Sequence, residues 1–284
     1  MRAHRSVVLP IVLLLVIAAA LSACGGQDAV DQAAEATGPE HVHGLGINPG
    51  DGSLYVATHT GLFRMEPGSN GLARVGDRLQ DTMGFAVVGP NRFIGSGHPD
   101  LRDDLPPLLG LIESSDAGRS WEPVSLLGEA DFHALSSDGA RVTGYDASGA
   151  RVMVSADSGR TWRSAAAPAP LGGLAVDPKD PDRLVATSEA GLLASPDAGR
   201  TWRDIGGDPA LLAWAAPDAL YGFTTYGEVR VSPDGGESWS ARGTLDREPA
   251  AVTATEGALI VALHDGSFAR SDDGGRSWSE GPWG

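Results

Sequence analysis

The stretch SADSGRTW, Ser155 to Trp162, decides the fold, because the chain carries it in five slightly different copies. The copies are SSDAGRSW from Ser114, SADSGRTW from Ser155, SPDAGRTW from Ser195, SPDGGESW from Ser232 and SDDGGRSW from Ser271. Their aspartates lie 41, 40, 37 and 39 residues apart. A period of about 40 residues is typical of folds built from copies of one small unit. Each unit is therefore predicted to be one small sheet.

The residue types of the repeat suit a tight turn between two strands. Serine and aspartate oxygens accept backbone N–H groups that a turn leaves unpaired, and glycine adopts positive φ angles that other residues resist. The closing tryptophan buries a large apolar surface between neighbouring sheets. Each side-chain hydrogen bond contributes about 1 kcal/mol to the stability of the fold, which is enough to explain the repeat. The five aspartates are therefore predicted to be structural rather than catalytic.

The repeated pattern, S-x-D-x-G-x-[ST]-W, resembles the Asp-box or BNR repeat of sialidase-like β-propellers. The resemblance covers most of the chain after the first 40 residues and implies a propeller. Proteins with this repeat are often labelled glycosyl hydrolases. The family resemblance therefore raises two expectations, one about the fold and one about an activity.

Reading outward from each copy gives four strands per unit and six places where a first strand begins. We therefore predict an all-β, six-bladed β-propeller with Asp-box turns over residues 41–284. In blade 1 the segment PGSNG, residues 67–71, stands where the other blades carry the box. The six first strands start at His43, Met83, His133, Gly172, Leu212 and Ala251.

The amino terminus is typical of an exported protein. Two arginines precede an apolar run over residues 7–20, as in a signal peptide spanning residues 1–23. The ending LSAC resembles a bacterial lipobox, which implies cleavage before Cys24 and lipidation of its sulfur. Cys24 is the only cysteine of the chain, and a plain signal peptide with an unmodified thiol is the alternative. With residues 24–40 as a flexible tether, we expect an extracytoplasmic lipoprotein anchored to a bacterial cell membrane.

The charge balance limits the partners. The chain has a formal net charge of −16, with 37 acidic and 21 basic residues. Such a surface repels phosphate backbones, so nucleic acid is not expected as a partner. We expect a monomer that meets the membrane through its lipid anchor and binds a glycan or a protein ligand.

The histidines fall at corresponding positions of the predicted blades. In a propeller the first strands begin, and the second strands end, at the same mouth of the central channel. The segments HVHGL, DTMGF and DFHAL begin the first strands of blades 1 to 3. The longest insertion, residues 98–110, joins strands at that mouth and is expected to be a lid or wall. The residues predicted to meet there are His41, His43, Asp81, Met83, Asp131 and His133 from first strands, and His59, His98, His264 and Asp146 from second strands.

This convergence predicts a metal site. We expect His41, His43, His59 and His133 to bind zinc or copper, and a Met83 ligand would favour copper. The alternative for a single histidine is a core residue bonded to a carbonyl or an aspartate, and for Met83 it is channel packing. The remaining candidates are Asp131, Asp81 and Asp146 as catalytic or orienting carboxylates, and His98, His264, Tyr226 and Glu189 as ligand contacts.

Three function classes stay open. The first is a binding module with a metal or small ligand at the mouth. The second is an enzyme, either a metal-assisted hydrolase or a sialidase-like glycoside hydrolase. The third is a structural role, in which the histidines simply fill the channel. The sialidase family holds its substrate carboxylate with three arginines and attacks with a tyrosine. Its FRIP-type arginine motif is absent here, where residues 41–48 read HVHGLGIN, and no arginine, tyrosine or glutamate spacing typical of that family was found.

Overall fold

The computed structural model describes residues 39–255 and 257–280. The predicted signal peptide, Cys24 and nearly all of the tether lie outside these residues. The described chain forms six sheets of four antiparallel strands each. It contains no helix with the length and hydropathy needed to cross a bilayer. The predicted all-β, six-bladed propeller is confirmed.

Each blade uses four strands that are consecutive in the chain. In blades 1 to 3 these are β1–β4 at Val42–Ile47, Leu54–Thr58, Gly61–Met65 and Leu72–Arg74, β5–β8 at Asp81–Gly89, Arg92–His98, Leu111–Ser114 and Glu122–Ser125, and β9–β12 at Phe132–Asp138, Arg141–Asp146, Arg151–Ser155 and Arg163–Ala166. In blades 4 to 6 they are β13–β16 at Leu171–Val176, Leu184–Ser188, Gly191–Ser195 and Arg203–Asp204, β17–β20 at Leu211–Ala216, Ala219–Phe223, Glu228–Ser232 and Ser240–Thr244, and β21–β24 at Pro249–Ala254, Leu259–Leu263, Phe268–Ser271 and Ser279–Glu280.

The second strand of each blade carries much of the core. β2 (LYVAT) and β22 (LIVAL) are buried along their whole length. Both faces of a blade are covered by neighbouring blades, so these strands are continuous apolar runs without the alternation of a half-exposed strand. The outermost strands are short and largely exposed, as in β16 and β24. The first strands of neighbouring blades contact one another around the ring.

The ring closes where blade 6 meets blade 1. β21 contacts β1, and Ala251 and Ile260 pack with Leu45, Leu54 and Phe63 in one buried cluster. Every described sheet is complete within its own stretch of chain. The seam is therefore held by side-chain packing rather than by an exchanged strand.

The Asp-boxes form the predicted turns between third and fourth strands. In blade 3 the Ser155 hydroxyl donates to Asp157 at 2.8 Å and accepts the N–H of Gly159 at 2.8 Å. Asp157 also accepts the backbone N–H and the hydroxyl of Thr161. The N–H of Thr161 is the main cause that lowers the pKa of Asp157 to about 2. The box aspartates are occupied by their own turns, as predicted.

The box glycine also sets the distance between blades. Gly159 has a φ of +81°, and a Cβ there would lie 2.0 Å from a methyl carbon of Leu111 in the preceding blade. The corresponding glycine of blade 2, Gly118, approaches Leu62 of blade 1 in the same way. Only glycine combines this φ with such close packing. The repeat thus stabilises its own turn and the contact with the neighbouring blade.

Candidate metal centre at the mouth of the channel

A β-bulge near the start of five of the six first strands shapes the mouth. In β1 the pairing steps from Val42 to Gly44 and leaves His43 unpaired. The same step leaves Met83 unpaired in β5 and His133 in β9. A bulged residue leaves the strict alternation of a strand and changes its direction. The unpaired residues of the five strands, all of which line the channel, are His43, Met83, His133, Gly172 and Ala250.

The channel itself is lined by the first strands of all six blades and has a volume of about 450 Å³. His43, Met83 and His133 supply its wall in blades 1 to 3, whereas glycine, leucine and alanine stand at the corresponding positions of blades 4 to 6. The channel mouth is therefore chemically one-sided. Its imidazoles lie together on half of the ring.

Three side chains at the mouth lie close enough together to hold a metal ion. One donor atom from each of His43, His59 and Asp81 lies within 4.8 Å of the others, and among the described residues this is the group of three that meets that condition. Nε2 of His43 is 3.4 Å from Oδ1 of Asp81, and Nδ1 of His59 is 2.9 Å from Oδ2. Blade 1 supplies both imidazoles and blade 2 the carboxylate. The group thus bridges two blades.

Two of the donor atoms have no other occupation. Nε2 of His43 and Oδ1 of Asp81 are both buried, and neither has a hydrogen-bond partner among the described residues. Burial raises the pKa of the Asp81 carboxyl, but His43, His59 and His98 outweigh this effect, so the pKa lies below its usual range. Asp81 is therefore an anion that faces imidazole nitrogens at neutral pH. Such a set of atoms attracts a cation.

A second group lies one blade further round the ring. Nε2 of His133 donates to Oδ2 of Asp131 at 2.8 Å, and Nε2 of His98 lies 3.8 Å from the same oxygen. The hydrogen bond that His133 donates to Asp131 is the main cause that raises the pKa of His133. The charges of Asp131, Asp81 and Asp146 add smaller contributions, while burial opposes them. His98 pairs with Asp81 across β5 and β6. It thus stands between the two groups.

The insertion at residues 98–110 is held in place by hydrogen bonds and forms a wall beside His98. Asp100 is buried and accepts hydrogen bonds from the N–H of Leu79 and from Arg102. Nδ1 of His98 donates to the carbonyl oxygen of Pro107 at 2.9 Å. These bonds fix both the segment and the orientation of the imidazole.

Asp146 has a supporting position. It is fully buried, accepts the backbone N–H of Asp131 at 3.0 Å and pairs with Nε of Arg151 at 2.7 Å. Burial raises the pKa of its carboxyl, but these bonds and the one from Ser148 hold it below the usual range. A carboxylate without exposed surface cannot reach a substrate. Its visible role is to hold Asp131 in place.

The other predicted residues lie around the rim. The ring centre of His41 is 6.2 Å from that of His59, and His41 has a positive φ of 47°. In blade 6, Nε2 of His264 lies 3.9 Å from Oε1 of Glu248. Tyr226 is exposed on blade 5, and Glu189 lines an open pocket of about 550 Å³ between blades 4 and 5. None of His41, His133 or His264 belongs to the group of three that the described residues bring within metal-binding distance.

Asp81 is predicted from the sequence to be a catalytic or orienting carboxylate, whereas in the structure it lies among the atoms that could hold a metal ion. The signal for this was present in the chain. Asp81 and Asp131 each stand two residues before the bulged residue of their blade, at the position of His41 in blade 1. The carboxylate of one blade therefore meets the second-strand histidine of the preceding blade, and such a contact appears only when neighbouring blades are considered together.

The sequence matches no protein-family model and no curated protein. Solved structures with similar folds include a GH74 xyloglucanase from Xanthomonas campestris, with a TM-score of 0.56 and 17% identity over 86% of this chain and 45% of that one. An ancestral GH74 enzyme gives a TM-score of 0.56 and 14% identity over 85% of this chain and 38% of that one. YCF48 from Cyanidioschyzon merolae gives 0.53 and 14% identity over 87% of both chains.

The chain spans less than half of the length of the two GH74 proteins. At these identities the similarity concerns the fold and not the chemistry at the mouth. The described chain is a six-bladed β-propeller, related by structure alone to GH74 enzymes and to YCF48.

Proposed function

We propose that this propeller is an extracytoplasmic binding protein that holds a transition-metal ion at His43, His59 and Asp81. The observation that carries the proposal is the pair of buried atoms, Nε2 of His43 and Oδ1 of Asp81, which form no hydrogen bond and face each other at 3.4 Å. An unpaired buried polar atom costs about 1–3 kcal/mol. A cation between these two atoms removes that cost for both of them.

The distances suit zinc. Ligands at about 2.0–2.1 Å around a tetrahedral ion are separated from one another by about 3.3–3.4 Å. Nε2 of His43 and Oδ1 of Asp81 already have this separation. Nδ1 of His59 contacts the other oxygen, Oδ2, at 2.9 Å, and a rotation of the exposed imidazole has to break that contact before the ring can share the ion. Two imidazoles and one carboxylate leave a fourth position open, as in catalytic zinc sites. Copper is the second candidate, because Met83 lines the channel next to His43.

The sialidase-like alternative receives less support from the mouth. That chemistry needs arginines free to bind a substrate carboxylate, and the arginines near this mouth are paired within the protein. Arg151 binds Asp146, and Arg247 binds Asp265. Arg102 binds Asp100. The metal-assisted hydrolase stays as the enzyme alternative, because an open fourth position could activate a water molecule.

The mouth is also the face on which we place a glycan or protein ligand. Among the described residues, the large apolar side chains that are exposed are Leu101, Leu105 and Tyr226. The first two lie on the wall beside His98 and the third on the opposite side of the ring, between β18 and β19. Leu101 and Leu105 lie in the same insertion, so the proposed contact is on that side of the mouth. A lipid at Cys24 would tether this surface outside the bacterial membrane.

The test is the metal content of the full-length protein. The purified protein in detergent is dialysed to equilibrium against zinc or copper, and bound metal is measured by mass spectrometry. His43→Ala and Asp81→Asn each remove one donor atom, and His264→Ala is the matched control because it removes an exposed histidine of the same mouth on blade 6. We expect the first two variants to lose the metal that is held at the lowest free concentration. We expect the control to retain it.

Wild-type protein that holds no more metal than Asp81→Asn at every free concentration would refute the proposal. Thermal unfolding of each variant, followed by tryptophan fluorescence, establishes that the loss of metal does not come from loss of the fold. With wild-type protein the same scan should show stabilisation by the bound ion, since a ligand of the folded state alone raises its stability.

A further inference from the structure

The repeat symmetry of the ring places a second set of donor atoms one blade beyond the first. The first set combines the bulged residue of blade 1, His43, with His59 from the end of its second strand and Asp81 from the start of blade 2. Moving every position forward by one blade gives Met83, His98 and Asp131. Blade 3 then adds His133 from its own bulge. A fold made of repeated blades presents equivalent backbone positions at the same mouth.

The side chains of this second set converge on one carboxylate. Oδ2 of Asp131 lies 2.8 Å from Nε2 of His133 and 3.8 Å from Nε2 of His98. The Asp131 side chain is only 9% exposed, whereas both imidazoles reach the open mouth. Its other oxygen, Oδ1, is buried and has no hydrogen-bond partner among the described residues. A carboxylate with one buried oxygen that forms no hydrogen bond thus lies beside two partly exposed imidazoles.

Hydrogen bonds with neighbouring groups orient His98 and Asp131. The carbonyl of Pro107 can only accept a hydrogen bond, so Nδ1 of His98 carries a proton and Nε2 is the ring nitrogen left to bind an ion. A backbone carbonyl behind the ring is the usual partner of a metal-bound histidine. Asp131 is oriented in turn by the bond from its N–H to the buried Asp146. Both ligands therefore have a supporting second layer.

We propose that His98, Asp131 and His133 bind a second divalent transition-metal ion, next to the ion at His43, His59 and Asp81. This inference rests on the proposed function, because it extends the same metal chemistry to the next blade. The proton that now joins His133 to Asp131 leaves when the ion binds, since both atoms become ligands. The separation of 3.8 Å exceeds the spacing of about 3.3–3.4 Å between tetrahedral ligands. The donor atoms of His98, Asp131 and His133 also do not all lie within 4.8 Å of one another, so the exposed imidazoles must move inward to share an ion. The second centre is therefore the weaker of the two and fills at higher free metal.

The experiment counts metal ions at rising free zinc, using the full-length protein in detergent and equilibrium dialysis. Asp131→Asn and His98→Ala each remove one ligand of the second centre, Asp81→Asn removes a ligand of the first, and His264→Ala is the control. Because His98 is partly exposed, its truncation leaves the core intact even if Asp131→Asn is poorly folded. The visible absorption of bound cobalt gives a second count and reports the coordination of each ion.

We expect about two equivalents in wild-type protein and in His264→Ala, and about one in each of the three ligand variants. The equivalent left in Asp81→Asn should be the weak one, and that left in His98→Ala the tight one. One equivalent in wild-type protein that survives in His98→Ala and Asp131→Asn overturns the second centre and leaves the first in place. One equivalent that is lost in all three variants shows a single shared ion and also overturns it. No bound metal in wild-type protein overturns the proposed function itself.

Discussion

Replacing the box glycine Gly159 with alanine tests whether the Asp-box controls the contact between blades. Gly159 has a φ of +81°, and its new methyl group would lie 2.0 Å from Cδ2 of Leu111 in blade 2. The left-handed backbone costs an alanine about 1–2 kcal/mol. Forcing a methyl group into a filled space costs about 1–3 kcal/mol more. We therefore expect Gly159→Ala to lower the free energy of unfolding by about 2–5 kcal/mol, a large share of a typical total of about 5–15 kcal/mol.

A matched glycine separates the two effects. Gly139 has a φ of +60°, and a Cβ there meets no atom within 4 Å. Gly139→Ala should therefore cost only the backbone strain of about 1–2 kcal/mol. Urea unfolding monitored by tryptophan fluorescence and circular dichroism gives both values. In a Leu111→Ala background, Gly159→Ala should cost no more than Gly139→Ala, because the clashing methyl group is gone. Equal losses for the two glycine variants in the wild-type background would refute the packing argument.

Two further predictions concern stability. The pKa of Asp157 is about 2 in the folded chain, mainly because of the N–H of Thr161. In an unfolded chain the pKa of an aspartate is about 3.9. The ionised Asp157 therefore stabilises the fold fully above the unfolded pKa, and this stabilisation is lost as the pH falls from about 4 toward 2. Thermal midpoints should fall over this range, and less steeply in Asp157→Asn; equal slopes would contradict this account. Ala150 is exposed with a φ of 48°, so Ala150→Gly should raise the free energy of unfolding by about 0.5–1 kcal/mol, net of the entropy that glycine loses. An unchanged or lower urea midpoint would show that Ala150 is not strained.

The fold could be predicted from the sequence because the box is a local signal. Its serine, aspartate and glycine are fixed by bonds within eight residues, as in the turn at Ser155 to Trp162. Five such turns at regular spacing determine the number of strands between them. Blade 1 lacks the box, yet its four strands could be counted from the alternation of turns and apolar runs around Leu54–Thr58.

The meeting of histidines and aspartates at one mouth could also be predicted, but not their grouping. A regular strand would place His41 and His43 on the same side. The positive φ of His41 and the bulge at His43 break that alternation. A bulge depends on how two strands pair, so it cannot be predicted from any single residue of the chain. The pairing of His59 with Asp81 likewise depends on the contact between two blades, so the sequence alone does not show which histidine faces which aspartate.

The sequential construction of the blades has a consequence for how the mouth is assembled. Each described sheet is completed by four successive strands, so the seam between blade 6 and blade 1 is the contact that joins the first blade to the last one made. The two donor groups are contained in residues 43–133, within blade 1, blade 2 and the first strand of blade 3. During synthesis from the amino terminus, these side chains emerge while the second half of the ring is still missing. The contacts among these histidines and aspartates therefore lie within blades 1 to 3 and do not include the seam that closes the ring.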